Sequence, residues 1–268
     1  MIKTYKQQMP ITNNSSTSKE FLYQKAISTT MANDFDKKFL STSSWFNVDQ
    51  LTSSVERAIK RELVRNFTEE GSIIFDPFLR NGETLFACHD LKRNAISLTN
   101  NNEDFDEVNE KIRILESQLQ LSDYGSKQKS KQVLLKAKVK DFDYLWQQYQ
   151  LSELDMVITF LPTYQELCQF SEENFPGQEI NVLLMLEKLF TELNSKIKLG
   201  AYIIVLTENY YYETQYHNFI GQFIEMMNKH LQLKGQKIMC LGNNATSDEL
   251  RNMSVTHKNL LFFRKIEL

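Results

Sequence analysis

The chain alternates short apolar runs with longer stretches in which apolar residues recur at helical spacing. Continuous apolar runs of four to eight residues are typical of buried strands, and apolar positions three and four residues apart are typical of one helix face. This pattern predicts seven strands, at residues 73–75, 95–98, 133–139, 155–160, 201–206, 237–242 and 259–266. It predicts helices at residues 55–67, 84–91, 103–121, 181–197 and 216–231.

The order of these elements predicts the class of fold. Strands and helices alternate, except that no helix separates the last two strands. Alternation of this kind favours an α/β sheet that is mainly parallel, and the missing crossover makes one strand antiparallel. Gly200 is predicted to end the helix at residues 181–197.

Three lysines at the third predicted strand allow two interpretations. Lys136, Lys138 and Lys140 share one face if residues 133–139 form a strand. Such a strip could bind phosphates, but charged residues also protect an exposed edge strand from aggregation. The second interpretation is favoured, and an edge strand is therefore predicted here.

Length and charge restrict the organisation further. The 268 residues, 41% of them hydrophobic, suffice for one large domain, predicted at residues 35–268 after a polar tail at residues 1–34. The formal net charge of -3 provides no sequence-wide basic field, so nucleic-acid binding would require a local patch.

The reactive residue types show no catalytic or metal-binding spacing. The three cysteines are far apart, and the four histidines have no metal-ligand spacing. No apolar stretch approaches the roughly 20 residues of a membrane helix, and no apolar signal segment stands at the start. We therefore expect a soluble cytoplasmic protein without a structural metal.

In a parallel sheet of this kind, ligands bind beyond the carboxyl ends of the strands. Two such ends carry recognisable motifs: "DPFLRNGETL" at residues 76–85 and "DMVITFLPTY" at residues 155–164. They resemble the DPF-x-GSG-TT and (D/N/S)PP(Y/F/W) motifs of the S-adenosylmethionine (SAM) dependent amino-methyltransferases that act on adenine N6 or cytosine N4 of DNA. The resemblance covers about residues 35–268 and implies a Rossmann-like class I methyltransferase fold.

The resemblance implies a set of cofactor-binding positions, in which two departures stand out. Arg80 replaces the first loop glycine, where small residues let backbone N–H groups approach the cofactor. Thr99 replaces the acidic acceptor of the ribose hydroxyls. Asp141 matches an acidic position near the adenine, although a solvated loop aspartate explains it equally well. The implied positions are Asp76, Pro77, Phe78, Arg80, Gly82, Thr84, Thr99 and Asp141.

The tetrapeptide at the catalytic position departs further from the family motif than the cofactor loop does. In the family a polar residue accepts hydrogen bonds from the amine of the flipped base, and an aromatic residue stacks on the ring. The polar acceptor is Phe160 here, Leu161 replaces the first proline, Pro162 matches the second, and Thr163 replaces the aromatic. Tyr164, one place on, could still stack. The run "NYYY" at residues 209–212 could offer stacking faces or an interface with a protein.

Changes in three separate loops predict a degenerate methyltransferase, with SAM binding weak or absent. Such a chain would act as a non-catalytic subunit or adaptor, with a protein partner, which could be an active methyltransferase, or with itself. Binding to nucleic acid alone would be weak, and no membrane is involved. The alternatives are an active SAM-dependent DNA or RNA amino-methyltransferase with divergent motifs, and a methyltransferase fold that carries another ligand.

Overall fold

The computed structural model describes residues 45–48, 50–117, 130–148, 151–174, 181–212, 215–241 and 257–267. The predicted tail at residues 1–34 lies outside this description, as do residues 118–121 of the helix predicted at residues 103–121. So do the side chains of Val139, Asn174, Tyr211 and Tyr212.

Eight strands of the described residues form one mixed sheet: β1 (Trp45–Val48), β2 (Ile73–Asp76), β3 (Asn94–Thr99), β4 (Gln132–Lys136), β5 (Leu154–Phe160), β6 (Ile197–Thr207), β9 (Gln232–Leu241) and β10 (His257–Arg264). Their order across the sheet is β1-β9-β10-β6-β5-β2-β3-β4. Within this sheet, β10 runs antiparallel to its neighbours, β6 and β9, and the other described pairs are parallel. The predicted α/β class and the single antiparallel strand are thus confirmed, and β1 adds an eighth strand to the seven predicted. A separate hairpin joins β7 (Tyr210–Tyr212) and β8 (Gln215–His217).

Helices cover both faces of the sheet, because successive side chains of a strand point to opposite faces and the central strands are buried on both. One core contains Ile59, Leu85 and Val108 from the first three helices. The other core contains residues of the last four helices, among them Phe142 and Phe223. The helices are α1 (Ser53–Phe67), α2 (Glu83–Asp90), α3 (Asn102–Ser117), α4 (Phe142–Gln148), α5 (Tyr164–Asn174), α6 (Val182–Lys196) and α7 (Phe219–Met227). No helix within the described residues is long and apolar enough to cross a membrane.

Three predictions of local structure are wrong. Strand β4 is an edge strand as predicted, but it ends at Lys136, and a 3-10 turn over Val139–Asp141 follows, so the three lysines do not form a strand stripe. Helix α6 ends at Lys196 and β6 begins at once, so Gly200, with φ of 82°, lies inside a strand. The helix predicted at residues 216–231 is only α7, because residues 215–217 pair in the hairpin.

The strand order reverses between β2 and β5: β3 and β4 follow on one side of β2, and β5 and β6 follow on the other. Ligands of open α/β sheets bind in the crevice that such a reversal creates, outside the carboxyl ends of the strands. Both predicted motifs begin at this position, since Asp76 ends β2 and Phe160 ends β5.

Candidate functional site

The loop after β2 is built around the carboxylate of Asp76, which is fully buried. Its Oδ1 accepts a hydrogen bond from the Phe78 backbone N–H (3.2 Å), and its Oδ2 accepts one from the Thr84 hydroxyl. These bonds fold the loop back on β2 and join it to the start of α2. Pro77 and Phe78 are buried in this turn.

A buried lysine completes the surroundings of Asp76. The Lys60 Nζ on α1 lies 3.3 Å from Asp76 Oδ2 and 2.8 Å from Glu56 Oε1, and all three residues are at most 4% exposed. Burial lowers the pKa of Lys60, but the Asp76 and Glu56 carboxylates outweigh it and raise the pKa above its ordinary value. Lys60 is therefore a cation, and we call Glu56, Lys60 and Asp76 the buried charge cluster.

The buried charge cluster also reaches the second motif. The Lys60 Nζ lies 4.7 Å from the centroid of the Phe160 ring, which is itself 2% exposed. A cation over an aromatic face is attracted by the ring quadrupole. Phe160 therefore points into the core beneath α1, where it has no oxygen with which to accept hydrogen from a substrate amine.

Glu83, in the first turn of α2, lies beside this cluster. Burial raises its pKa to about 7, with a further rise from Glu56 and opposing effects of Arg57, Lys60 and Lys111. A carboxyl group with this pKa changes its charge near neutral pH.

Gly82 allows the turn that separates the loop from α2. It has φ of 80°, and a Cβ atom there would lie 2.8 Å from Val108 Cγ1 and 3.0 Å from the Phe86 ring. A larger residue would thus be strained and would clash with α3. Arg80 is exposed and lies near Asp104 of α3. Burial and neighbouring carboxylates raise the pKa of Asp104, and the charge of Arg80 opposes this rise.

The ends of β3 and β4 supply the next two predicted positions. Thr99 is buried, and its hydroxyl accepts a hydrogen bond from the Asn101 backbone N–H at 3.2 Å, so it closes a local turn. Asp141 ends the 3-10 turn, where its backbone N–H donates to the Lys138 carbonyl at 3.0 Å. Asp76 is hydrogen-bonded to both Phe78 and Thr84, whereas no such bond joins these three residues to Thr99 or Asp141 among the described interactions.

After β5, the degenerate tetrapeptide has become the start of a helix. Thr163 is the residue before α5, and its Oγ1 lies 3.4 Å from the Glu166 backbone N. Glu166 Oε2 in turn accepts from the Thr163 backbone N–H (2.7 Å) and hydroxyl (2.8 Å). This is a reciprocal capping box, which fixes a helix start. The sequence T-x-x-E at residues 163–166 was the signal that could have predicted α5.

Helix α5 then contacts the loops that follow the carboxyl ends of β2, β3 and β4. The Phe170 ring packs edge-on against Phe78, with 5.7 Å between centroids. At the C-terminal part of α5, Glu173 accepts a hydrogen bond from the Asn100 side chain through its carboxylate and another from Lys138 Nζ (3.2 Å) through its carbonyl. Sequence reasoning missed Phe170 and Glu173, because contacts across the chain leave no local pattern.

The aromatic residues near β5 also pack on one another. The Tyr164 and Tyr210 rings stack at 3.8 Å between centroids, 14° from parallel, and His217 lies 5.1 Å from Tyr210. Burial and a hydrogen bond with Tyr164 raise the pKa of Tyr210. Beside this pair is a pocket with room for about one water molecule. Its lining includes Leu161, Pro162, Thr207 and Lys258.

Comparison with known protein sequences gives a match for one segment of the chain. A family model described as DNA methylase, of the N6/N4 type, matches residues 54–110, which span α1 to most of α3. No curated protein sequence matches the chain.

Solved methyltransferases share the fold at low sequence identity. The N-methyltransferase NodS of Bradyrhizobium japonicum is 8% identical with a TM-score of 0.50, covering 82% of this chain and 100% of its own. A Streptococcus mutans protein named as a SAM-dependent methyltransferase is 13% identical with a TM-score of 0.50, covering 77% of this chain and 48% of its own. The chain thus has a Rossmann-like class I methyltransferase fold, and residues 54–110 are similar to the N6/N4 DNA methylase family model.

Proposed function

We propose that this chain is a methyltransferase-fold protein without methyltransferase activity, which binds SAM weakly or not at all and acts as a subunit or adaptor. The observation that carries the proposal is the contact of α5 with the loops that follow the carboxyl ends of β2, β3 and β4. These ends are on the side of the sheet on which ligands of such folds bind.

Helix α5 would compete with a cofactor for this space. Contact between Phe78 and Phe170 contributes about 0.5–1.5 kcal/mol beyond area burial for an aromatic pair. A ligand that enters must also separate Glu173 from Asn100 and Lys138. Each 1.4 kcal/mol or so spent in this way lowers the affinity about tenfold.

The cofactor positions themselves support the same conclusion. Thr99 offers a neutral hydroxyl that is already engaged by Asn101, where the family has a carboxylate. A hydrogen bond to a charged acceptor contributes about 1.5–3 kcal/mol, so its loss lowers affinity by one to two orders of magnitude. Asp76 is held by Lys60, Phe78 and Thr84 and has a structural role.

The positions implied for catalysis support loss of methyl transfer. Phe160 is buried against Lys60 and has no acceptor, and one face of Tyr164 is occupied by Tyr210. A target base would therefore find neither an oriented acceptor for its amine nor a free Tyr164 face on that side.

The second candidate is an active SAM-dependent DNA or RNA amino-methyltransferase with divergent motifs. The match of residues 54–110 to a family of DNA methylases favours it. Under this hypothesis, α5 would have to leave the cleft before each turnover.

As a binding protein, the chain would associate with a protein partner, such as an active methyltransferase, or with itself. Its formal charge of -3 favours only weak and salt-dependent binding to nucleic acid alone. Three free cysteines without a disulfide suit the reducing cytoplasm, where we place the protein.

Methyl transfer from isotope-labelled SAM tests the proposal. We expect no label in duplex DNA, single-stranded DNA or RNA with the chain alone, and stimulation when it is co-expressed with an active amino-methyltransferase that it binds. An amino-methyltransferase with complete motifs serves as the positive control. Label transferred by the chain alone at the rate of that control would instead establish the second candidate.

A further inference from the structure

The outer end of the sheet carries exposed apolar side chains on a strand edge. Trp45 of β1 and Ile238 of β9 are register partners in a parallel pair and are 55% and 36% exposed. We call Trp45, Ile238 and the outer edge of β1 the outer-edge surface. In the described part of the chain, β1 pairs with β9 alone.

The alternation of β1 prevents Trp45 from turning inward. Phe46 and Val48 are 5% and 6% exposed and belong to the core beneath the sheet. Because successive side chains of a strand point to opposite faces, Trp45 and Asn47 must face outward. Trp45 is therefore held at the surface by the residues that anchor its own strand.

Such a surface combines two features that proteins usually cover. Strand β1 forms one edge of the sheet in the described part of the chain, and it has neither a lysine nor a proline to deter another strand. A large exposed aromatic next to an exposed isoleucine adds apolar area that association would remove from water. Both features favour an extended apolar segment as the occupant.

The chain itself supplies such a segment next to this surface. The 44 residues that precede Trp45 join the described part of the protein at β1. Within them, residues 21–27 (FLYQKAI) form the longest mainly apolar run, with two aromatic residues. Residues 28–44 can span roughly 55 Å when extended, at about 3.3 Å per residue, so they do not limit the reach of this run.

We propose that residues 21–27 dock on the outer-edge surface of the same molecule. A tethered segment has an effective concentration in the millimolar range for short flexible linkers, which a separate copy at micromolar concentration does not match. The inference does not depend on whether the chain binds SAM, since the outer-edge surface and the crevice between β2 and β5 are separated by β6, β10 and β9.

The chain has only two tryptophans, which makes Trp45 a specific probe. Trp146 is buried against Phe142, so Trp146→Phe leaves Trp45 as the only fluorescent tryptophan and keeps an aromatic ring in the core. In this background we would compare the full chain, a chain lacking residues 1–40, and Phe21→Ser/Tyr23→Ser. Ile11→Ser, outside the run, is the matched control.

We expect shielded, blue-shifted Trp45 emission in the monomeric full chain and in the Ile11→Ser control. Deletion or Phe21→Ser/Tyr23→Ser should shift the emission to the red and increase quenching by acrylamide. Hydrogen exchange of the β1 amides in proteins that retain Trp146 should rise in the same variants, which keeps the test valid if Trp146→Phe fails to fold. Equal emission in all variants would overturn the proposal, and shielding that disappears only on dilution would assign the surface to a second copy.

Discussion

Replacing Lys60 by methionine should destabilise the protein strongly, because Lys60 neutralises two buried carboxylates. Methionine keeps an unbranched side chain of similar length in the core but removes the charge. Asp76 and Glu56 are at most 4% exposed, so the variant leaves two carboxylates without a cation. One of them must then take up a proton or draw water into the core.

The expected magnitude follows from the surroundings of Lys60. Removing one partner of a buried ion pair costs about 3–5 kcal/mol. Loss of the cation over the Phe160 ring adds about 0.5–2 kcal/mol, offset in part by the easier burial of methionine. We therefore expect Lys60→Met to lower the free energy of unfolding by about 3–5 kcal/mol, a large part of the roughly 5–15 kcal/mol that a domain has.

Urea denaturation at pH 7.5 measures this change directly. Arg57→Met is the matched control: it lies on the same helix and pairs with Asp90, but both side chains of that pair are about 30% exposed, so the loss should stay below about 1 kcal/mol. Adding Asp76→Asn to Lys60→Met should recover part of the loss, since one unpaired charge is removed. If Lys60→Met were no more destabilising than Arg57→Met, the buried charge cluster would not hold the loop as we infer.

Three further predictions concern the same loops. Glu83 has a folded-state pKa of about 7, above its ordinary value of 4.5, so folding favours its protonated form and its contribution to stability is lost as pH rises from about 4.5 through about 7. Glu83→Gln should therefore raise the unfolding free energy at pH 8 by on the order of 1–3 kcal/mol and flatten this dependence in urea titrations; an unchanged pH profile would contradict the assignment. Thr163→Ala should cost about 1 kcal/mol through loss of the capping box and increase amide exchange in α5, whereas Thr163→Ser should be near neutral; equal exchange in both variants would argue against the cap. The substitutions that restore the family residues are Arg80→Gly, Thr99→Glu and Phe160→Asn. None of them alone should give methyl transfer in the isotope assay, because the losses lie in separate loops. Robust activity of any single variant would show that the other two positions were never limiting.

The sequence predicted the sheet well because buried strands leave a strong local signal. Runs such as residues 155–160 are continuous and apolar, and every predicted strand is present. Strand β1 was missed because it has only four residues, two of which face solvent. The prediction that Lys136, Lys138 and Lys140 share one strand face was wrong, because residue spacing alone does not show where a strand ends and a turn begins.

The candidate site was less predictable, because its decisive contacts join distant residues. Lys60 stands in an amphipathic helix next to Ile59 and has the spacing of a solvated lysine, yet its partner Asp76 is 16 positions away. The contact of Phe78 with Phe170 joins the loop after β2 to α5 and likewise has no local signature. By contrast, a turn at Gly82, where φ is 80°, could be predicted from the sequence, because glycine favours positive φ.

Calorimetric titration of the purified full-length chain with SAM and with its demethylated product tests the central claim most directly. The contacts of α5 with the loops after β2, β3 and β4, together with Arg80 and Thr99, lead us to expect no measurable heat of binding at micromolar concentrations of chain and ligand. An amino-methyltransferase with complete motifs should give a normal isotherm in the same buffer. A dissociation constant of about 1–10 μM, equivalent to about -7 to -8 kcal/mol, would show that the cofactor site works and that α5 does not block it.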